Sequence, residues 1–81
     1  MSKVTVQLFA SYAEAFGGSS IQIPIDQGST VADLVRHIRS LPAGLILPPQ
    51  PRVAVNRKFA SPDQIIEGSD EIAVIPPVAG G

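Results

Sequence analysis

The group in this 81-residue chain with the most distinctive chemistry is the main-chain carboxylate of Gly81, which follows Gly80. Neither glycine carries a Cβ and both accept φ of either sign, so such an end is the thinnest and most freely rotating that a polypeptide can have. Upstream, Pro76 and Pro77 fix φ near the polyproline value. We therefore expect a stiff base and a slim tip, with a frayed terminus as the alternative. The expected tail consists of Pro76, Pro77, Val78, Ala79, Gly80 and Gly81.

Fully extended, these six residues would reach about 20 Å at ~3.3–3.6 Å each, enough to carry the Gly81 carboxylate well inside another protein. A carboxylate is a poor electrophile until one oxygen becomes a good leaving group, and attachment of AMP achieves this. A sulfur nucleophile can then displace AMP and leave a thiocarboxylate. A bulky last residue would obstruct both steps. Because the chain has no cysteine, any sulfur that it handles cannot be carried on a thiol of its own.

The usual side-chain constellations of catalysis are missing from the sequence. His37 is the only histidine, and Asp33 four residues before it predicts a weak surface ion pair. No Ser-His-Asp order, metal-ligand cluster or phosphate-binding glycine motif accompanies it. Arg57 and Lys58, with Arg52 nearby, could steer an acidic partner, although a solvated hairpin tip is the favoured interpretation. We expect no catalytic site and no metal site formed by side chains.

The composition predicts one small globular domain, because 44% of the residues are hydrophobic and 16% are charged. The formal net charge of -1 argues against nucleic acid or an anionic membrane as the main partner. The sequence has no uncharged run of about 18 residues that could span a membrane. Its start lacks the apolar segment and cleavage site of a signal peptide, so a cytoplasmic location is expected.

Hydrophobic periodicity predicts the elements that would position the tail. Strands are predicted over residues 3–10, 21–25, 52–55, 59–60 and 71–75. Pro24 cannot donate to a ladder, which places the second strand at an edge. Asn56-Arg57-Lys58 predicts a tight turn in which Asn takes a positive φ.

Two helical segments are predicted between these strands. Ser11 and Glu14 have capping-box spacing, so a single turn should follow and end at Gly17-Gly18. The main helix should begin with Ser29 or Thr30 as N-cap and should end at Pro42. Its apolar stripe consists of Val31, Leu34, Val35, Ile38 and Leu41. In the loop over residues 42–51, the apolar residues Leu45, Ile46 and Leu47 are expected to fold back as a lid on the core.

This order predicts an α+β domain of the β-grasp type, with a mixed sheet of about five strands and one main helix packed on one face. Residues 1–75 would form the domain and residues 76–81 the tail. Side chains alternate along a strand, so Phe9 and Ile75 should point to the uncovered face of the sheet, where Phe59 could join them. These three residues predict a docking patch, and scattered surface hydrophobic residues are the alternative.

Three stretches carry a resemblance to a known family: Val53-Ala54-Val55-Asn56, Glu67-Gly68-Ser69-Asp70-Glu71-Ile72, and Ile75-Pro76-Pro77-Val78-Ala79-Gly80-Gly81. They resemble the MoaD/ThiS-type ubiquitin-like sulfur carriers, and most closely the MoaD-type small subunits of molybdopterin synthases. Leu8-Phe9-Ala10 and the main helix are similar too, and the likeness is loosest over residues 41–50. Thiazole-pathway carriers share the two glycines but usually lack the two prolines.

The resemblance implies a ubiquitin-like β-grasp protein whose Gly81 is adenylated by an E1-like, MoeB-like activating enzyme and then converted to a thiocarboxylate. The tail would insert into a MoaE-like large subunit of molybdopterin synthase and donate sulfur to a pterin precursor, forming the dithiolene of molybdopterin. On this interpretation the carrier binds no cofactor, and ATP belongs to the activating enzyme. Family members use an apolar surface for these partners, which matches Phe9, Phe59 and Ile75.

Three alternatives remain open at the level of sequence. The chain could carry sulfur for thiazole, tRNA or another thiolated product. It could be a ubiquitin-like modifier that forms isopeptides through Gly81. It could also be a plain interaction module with a disordered end.

Overall fold

A computed structural model describes residues 2–48 and 50–76 of the chain. The strands are β1 (Ser2–Leu8), β2 (Ser20–Ile25), β3 (Arg52–Val55), β4 (Lys58–Phe59) and β5 (Ile72–Ile75), and the helices are α1 (Ala10–Phe16), α2 (Val31–Ser40) and a 3₁₀ helix (Pro42–Ile46). The strands form one sheet in the order β2-β1-β5-β3-β4. Only the β1–β5 pair is parallel among these neighbours. This is the predicted β-grasp arrangement, and the strand ends differ from the predicted ones by a residue or two.

The first hairpin follows the predicted alternation. Val4, Val6 and Leu8 are buried, whereas the residues between them are exposed. Pro24 lies opposite Lys3 on β2, which is an edge strand of the sheet, as its missing N–H requires. The β1 side chains pack into a single core together with those of both α-helices.

Helix α2 begins with a reciprocal cap at Thr30. The Thr30 hydroxyl accepts a hydrogen bond from the Asp33 N–H at 3.2 Å, and the Asp33 carboxylate accepts one from the Thr30 N–H at 3.0 Å. These bonds to the ionised carboxylate lower the pKa of Asp33. The same carboxylate lies 3.2 Å from Arg36. The predicted ion pair between Asp33 and His37 is therefore wrong. The Asp33 carboxylate instead bonds to the Thr30 N–H and to the Arg36 guanidinium.

Helix α1 corrects a second prediction, since Ser11 is not its N-cap. Phe9 occupies that position without a side-chain cap, and its carbonyl accepts a hydrogen bond from the Tyr12 N–H at 3.0 Å. The first turn therefore starts upstream, which leaves Ser11 inside the helix. The predicted end is confirmed, because Gly17 adopts a left-handed conformation with φ 76° and closes the helix.

The predicted apolar lid is only partly present. Leu47 is buried in the core, but Leu45 and Ile46 are exposed at 78% and 46%. The chain reaches this position through a close contact: a Cβ on the buried Gly44 would lie 2.8 Å from the Arg39 Cα of α2. This contact sets the path of the 3₁₀ helix, and only Leu47 of the three apolar side chains turns inward.

The turn between β3 and β4 is tied to the segment before β5. Asn56 and Arg57 both have positive φ, at 52° and 71°, which suits a two-residue hairpin. The Asn56 side chain donates to Asp70 at 3.0 Å and accepts from the Glu71 N–H at 2.9 Å. The predicted turn is confirmed, and its asparagine also positions the start of β5.

Candidate functional site

The expected tail lies mostly beyond the residues that the structure describes. Pro76 is described and half-buried, whereas Pro77, Val78, Ala79, Gly80 and Gly81 lie outside the described residues. The roles predicted for those five residues, and the domain boundary at Ile75, therefore stay predictions. The structure does describe the place from which this segment leaves the domain.

The root of the tail lies at the centre of the sheet. Pro76 directly follows β5, which pairs with β1 on one side and with β3 on the other. Ile75 is opposite Arg52 at the start of β3, and Val74 is in register with Leu8 at the end of β1. The chain therefore leaves the domain between two paired neighbours and beside Phe9.

One face of the sheet is left open by the helices. Val53, Ile72 and Val74 point into the core with the helices, so the residues between them point to the opposite face. The strand register places small and polar side chains in a row across that open face, ending in one aromatic ring. The row consists of Gln7, Ala73, Ala54 and Phe59.

The three predicted docking residues belong to this open face. Phe9 has an extended backbone, with φ -128° and ψ 153°, and follows the buried Leu8, so it continues the alternation of β1 by one residue. Ile75 is half-buried on the neighbouring strand. Phe59 is 67% exposed on β4. Since strands are about 4.8 Å apart, Phe9 and Ile75 are neighbours, and Phe59 lies roughly 10 Å from β5.

Arg52 connects this group, whereas sequence reasoning had named it only as a neighbour of Arg57 and Lys58. The guanidinium carbon of Arg52 lies 5.2 Å from the centroid of the Phe59 ring, and Arg52 is also paired opposite Ile75. It therefore bridges the interval between the two apolar side chains. The alternation of β3 could have revealed it, because buried Val53 and Val55 leave Arg52 and Ala54 on the open face.

Metal-ligand clusters and membrane-spanning helices are both absent from the described part of the chain. Among residues 2–48 and 50–76, no group of three or more His, Asp or Glu residues could hold a metal ion. The same described part of the chain has no helix long and apolar enough to cross a membrane. At the far end of β3, Arg57 lies 3.7 Å from Glu71 with 89% of its side chain exposed. The exposed Phe59 ring and the Arg52 guanidinium beside it make the open face suited to bind a protein surface.

Comparison with known proteins gives a consistent result. The model of the ThiS family matches residues 6–81. The molybdopterin synthase sulfur carrier subunit of Dictyostelium discoideum is 38% identical over an alignment of 81 positions that covers 94% of this chain and 93% of that protein. The family match thus spans all three stretches that carry the resemblance.

Solved structures share the fold over almost the whole chain. Small archaeal modifier protein 1 of Haloferax volcanii superposes with a TM-score of 0.84 at 23% identity, covering 96% of this chain and 100% of that one. A putative molybdopterin converting factor subunit 1 of Pyrococcus furiosus gives a TM-score of 0.82 at 25% identity, with coverage of 96% and 100%. Both have the same β-grasp architecture as this chain.

Proposed function

This chain belongs to the ThiS family, and from that membership we propose that it is the sulfur carrier subunit of a molybdopterin synthase. The observation that carries the proposal is the similarity to the Dictyostelium discoideum sulfur carrier subunit, which extends along nearly the full length of both proteins. The open face around the root of the tail supports it, because a carrier must present its end to more than one protein.

The reaction that we propose takes place at the carboxylate of Gly81. One carboxylate oxygen attacks the α-phosphorus of ATP in the site of an E1-like adenylating partner, and pyrophosphate leaves. A nucleophile at the oxidation level of sulfide, such as hydrosulfide, then attacks the acyl carbon, expels AMP and loses its proton, which leaves a thiocarboxylate. Splitting the substitution in this way replaces one difficult step by two easier ones. ATP is held by the partner, and the carrier contributes the acyl group.

The second half of the cycle takes place in the large synthase subunit. The tail enters that subunit, where the thiocarboxylate sulfur attacks a carbon of a pterin precursor and displaces an oxygen leaving group. Water then hydrolyses the resulting thioester, which restores the Gly81 carboxylate and leaves the sulfur on the pterin. A dithiolene contains two sulfur atoms, so two loaded carriers are consumed for each product. Glycine at both final positions keeps the path to the acyl carbon unobstructed.

The part of the chain that the structure describes would supply the docking surface for both partners. Phe9 and Ile75 lie next to the root of the tail, and Phe59 with Arg52 marks the margin of the open face. Exposed aromatic and arginine side chains are the groups most enriched in protein interfaces. We place the carrier and its partners in the cytoplasm.

Intact mass spectrometry tests the proposal directly. The full chain is incubated with its adenylating enzyme, ATP and a sulfur donor, and we expect the mass increase of one oxygen replaced by one sulfur. Fragmentation should place that replacement on Gly81. The matched control is a chain lengthened by one phenylalanine after Gly81, which should fold normally and stay unloaded. An unloaded native chain under conditions that load a known carrier would contradict the proposal.

Adding the large subunit and a pterin precursor separates this role from the alternatives. Sulfur loss from the carrier together with formation of the dithiolene supports the proposal. Loading without transfer to the pterin would assign the carrier to another thiolation pathway. Isopeptides between Gly81 and lysines of other proteins would indicate a modifier.

A further inference from the structure

A groove of 660 Å³ lies beside the edge strand β4, between that strand and helix α2. Its apolar lining includes Val31 and Val35 of the helix, and Val53 and Ala60 on the sheet side. The groove meets the open face at Arg52 and Phe59, but its other wall is the helix, so it is a separate surface. Its size falls within the range of about 300–1,000 Å³ found for ligand pockets.

The charged side chains that line this groove are all positive. Arg36, Arg39 and Arg52 line it, and none of the described lining residues is Asp or Glu. Asp33 lies outside the lining and 3.2 Å from Arg36, so that guanidinium is partly compensated. Among the described residues, Arg39 and Arg52 have no carboxylate within salt-bridge distance. Since the whole chain has a formal net charge of -1, the positive charge is concentrated at this site.

Arg39 is the residue best placed to hold an incoming anion. It is half-buried on α2, and its Nε is shielded from solvent without a hydrogen-bond partner among the described residues. A guanidinium offers five N–H donors in a fixed fork that matches a carboxylate. The packing of its stem therefore holds Arg39 in position, while part of its donor capacity is unused.

The sheet side of the groove also offers backbone groups. The Ala60 N–H donates to the Val53 carbonyl at 2.9 Å, and Phe59 is paired opposite Ala54. In an antiparallel pair, the backbone N–H and C=O groups of successive residues point alternately toward the partner strand and away from it. Because the Ala60 N–H points toward β3, the N–H and C=O of Phe59 point away from it. They form an edge to which an extended segment can add.

We propose that this groove binds an extended acidic segment of a partner protein, in which carboxylates alternate with apolar side chains. The carboxylates pair with Arg39 and Arg36, the apolar side chains pack on Ala60 and Pro62, and the backbone adds to the edge at Phe59. A free small dicarboxylate would satisfy the arginines alone. This activity goes beyond sulfur transfer and does not depend on Gly81.

The test is an NMR titration of the ¹⁵N-labelled full chain. The probe is a pool of blocked heptapeptides in which Asp or Glu alternates with Val, Ile, Leu or Phe, and the matched pool has Asn and Gln in place of the acids. We expect saturable amide shifts at Val35, Arg39, Phe59 and Ala60 with the acidic pool only. The apparent affinity should fall as ionic strength rises, because salt screens the arginines.

Charge variants then assign the binding to the groove. Arg39→Gln should weaken the affinity for the acidic pool by about tenfold or more, as expected for a charge-assisted hydrogen bond. Arg36→Gln, at a site with 77% of the side chain exposed, should weaken it by about threefold without affecting the fold. The control Arg57→Gln removes the same charge from the hairpin tip, which does not line the groove, and should change the affinity by less than about twofold.

Three results would overturn the proposal. One is the absence of saturable shifts at the groove with the acidic pool. Another is equal weakening by Arg36→Gln and Arg57→Gln, which would indicate unspecific attraction. The third is an equally strong response to glutarate at the same concentration, which would assign the groove to a small anion. None of these readouts depends on thiocarboxylate formation, so failure here is distinguishable from failure of the sulfur carrier proposal.

Discussion

The guanidinium of Arg52 stacks on the ring of Phe59 at 5.2 Å, and this pair joins the open face of the sheet to the groove beside β4. A cation–π contact at an exposed site contributes about 0.5–1 kcal/mol. It therefore affects folding little, but it limits the positions that the aromatic ring occupies. A partner that docks on either surface encounters a ring that is already oriented.

Phe59→Ala should weaken binding of the large synthase subunit while leaving the carrier folded. Removing an aromatic side chain that becomes buried at an interface should raise Kd roughly 10- to 100-fold. Isothermal titration calorimetry with the purified large subunit measures this change. Leu45→Ala is the matched control, because Leu45 is 78% exposed but lies in the 3₁₀ helix that contacts α1 and α2. If both variants raised Kd equally, the assignment of Phe59 to the docking patch would be wrong.

Gly44→Ala should destabilise the domain by about 1–3 kcal/mol, the usual cost of overpacking. The added Cβ would overlap the carbonyl oxygen of Ile38 and lie 2.8 Å from the Arg39 Cα, so backbone would have to move. Urea denaturation measures the free energy of unfolding. Gly18→Ala is the control, since the nearest atom to a Cβ there is the Ser20 carbonyl oxygen at 3.9 Å. Its cost should stay below about 0.5 kcal/mol.

Thr30→Ala should lower the free energy of unfolding by about 0.5–2 kcal/mol, because it removes the hydroxyl that caps α2. Thr30→Ser retains that hydroxyl and should recover most of the loss. Thermal or urea unfolding followed by circular dichroism measures both variants. Equal stability of the alanine and serine variants would mean that the side-chain cap does not contribute.

The contribution of Asp33 should depend on pH in a defined direction. Its pKa is lowered in the folded state, mainly by the backbone hydrogen bond from Thr30, so its ionised form stabilises the fold. That stabilisation is complete above the unfolded pKa of about 3.9 and is lost as pH falls through the lower folded pKa. The stability difference between the native protein and Asp33→Asn should be constant near neutral pH and should narrow below about pH 4. The pKa of Asp63 is also lowered, but Asp63 is present in both proteins, so its contribution cancels in the stability difference.

Asn56→Gly and Asn56→Ala separate two roles of the hairpin asparagine. The glycine variant keeps the positive φ without strain and loses only the bonds to Asp70 and Glu71, so it should cost about 0.5–1.5 kcal/mol for each bond that solvent does not replace. The alanine variant adds the cost of a left-handed backbone, about 1–2 kcal/mol more. Denaturant unfolding measures both. If the two variants were equally stable, the positive φ would carry no cost.

Alternation along the strands was enough to predict the architecture and the open face. The proline in β2 predicted an edge strand, and the alternation of Val4, Val6 and Leu8 predicted which side of β1 is buried. The same alternation predicted that Phe9, Ile75 and Phe59 lie on the open face of the sheet. Periodicity succeeds here because β1, β3 and β5 each have a buried side that alternates with a less buried one.

The predictions that failed concern features that backbone contacts decide, at a helix start or between two packed helices. Ser11 and Glu14 have the right spacing for a capping box, but the Phe9 carbonyl accepts the first hydrogen bond of the helix, so Phe9 is the N-cap. Leu45 and Ile46 are apolar, yet the approach of Gly44 to α2 decides which way the 3₁₀ helix faces. The groove was also beyond prediction, because its walls come from α2 and from β3–β4, and only the tertiary fold brings them together.

The central position of β5 has a mechanical consequence. Its hydrogen-bond ladders run along β1 on one side and β3 on the other, and Pro76 continues directly from its end. Tension applied to the C-terminal segment by a protein that grips it would load both ladders in shear, so many hydrogen bonds would resist together. An edge strand such as β2 has only one ladder to resist the same load. The fold thus anchors its C-terminal segment to a strand that is held on both sides.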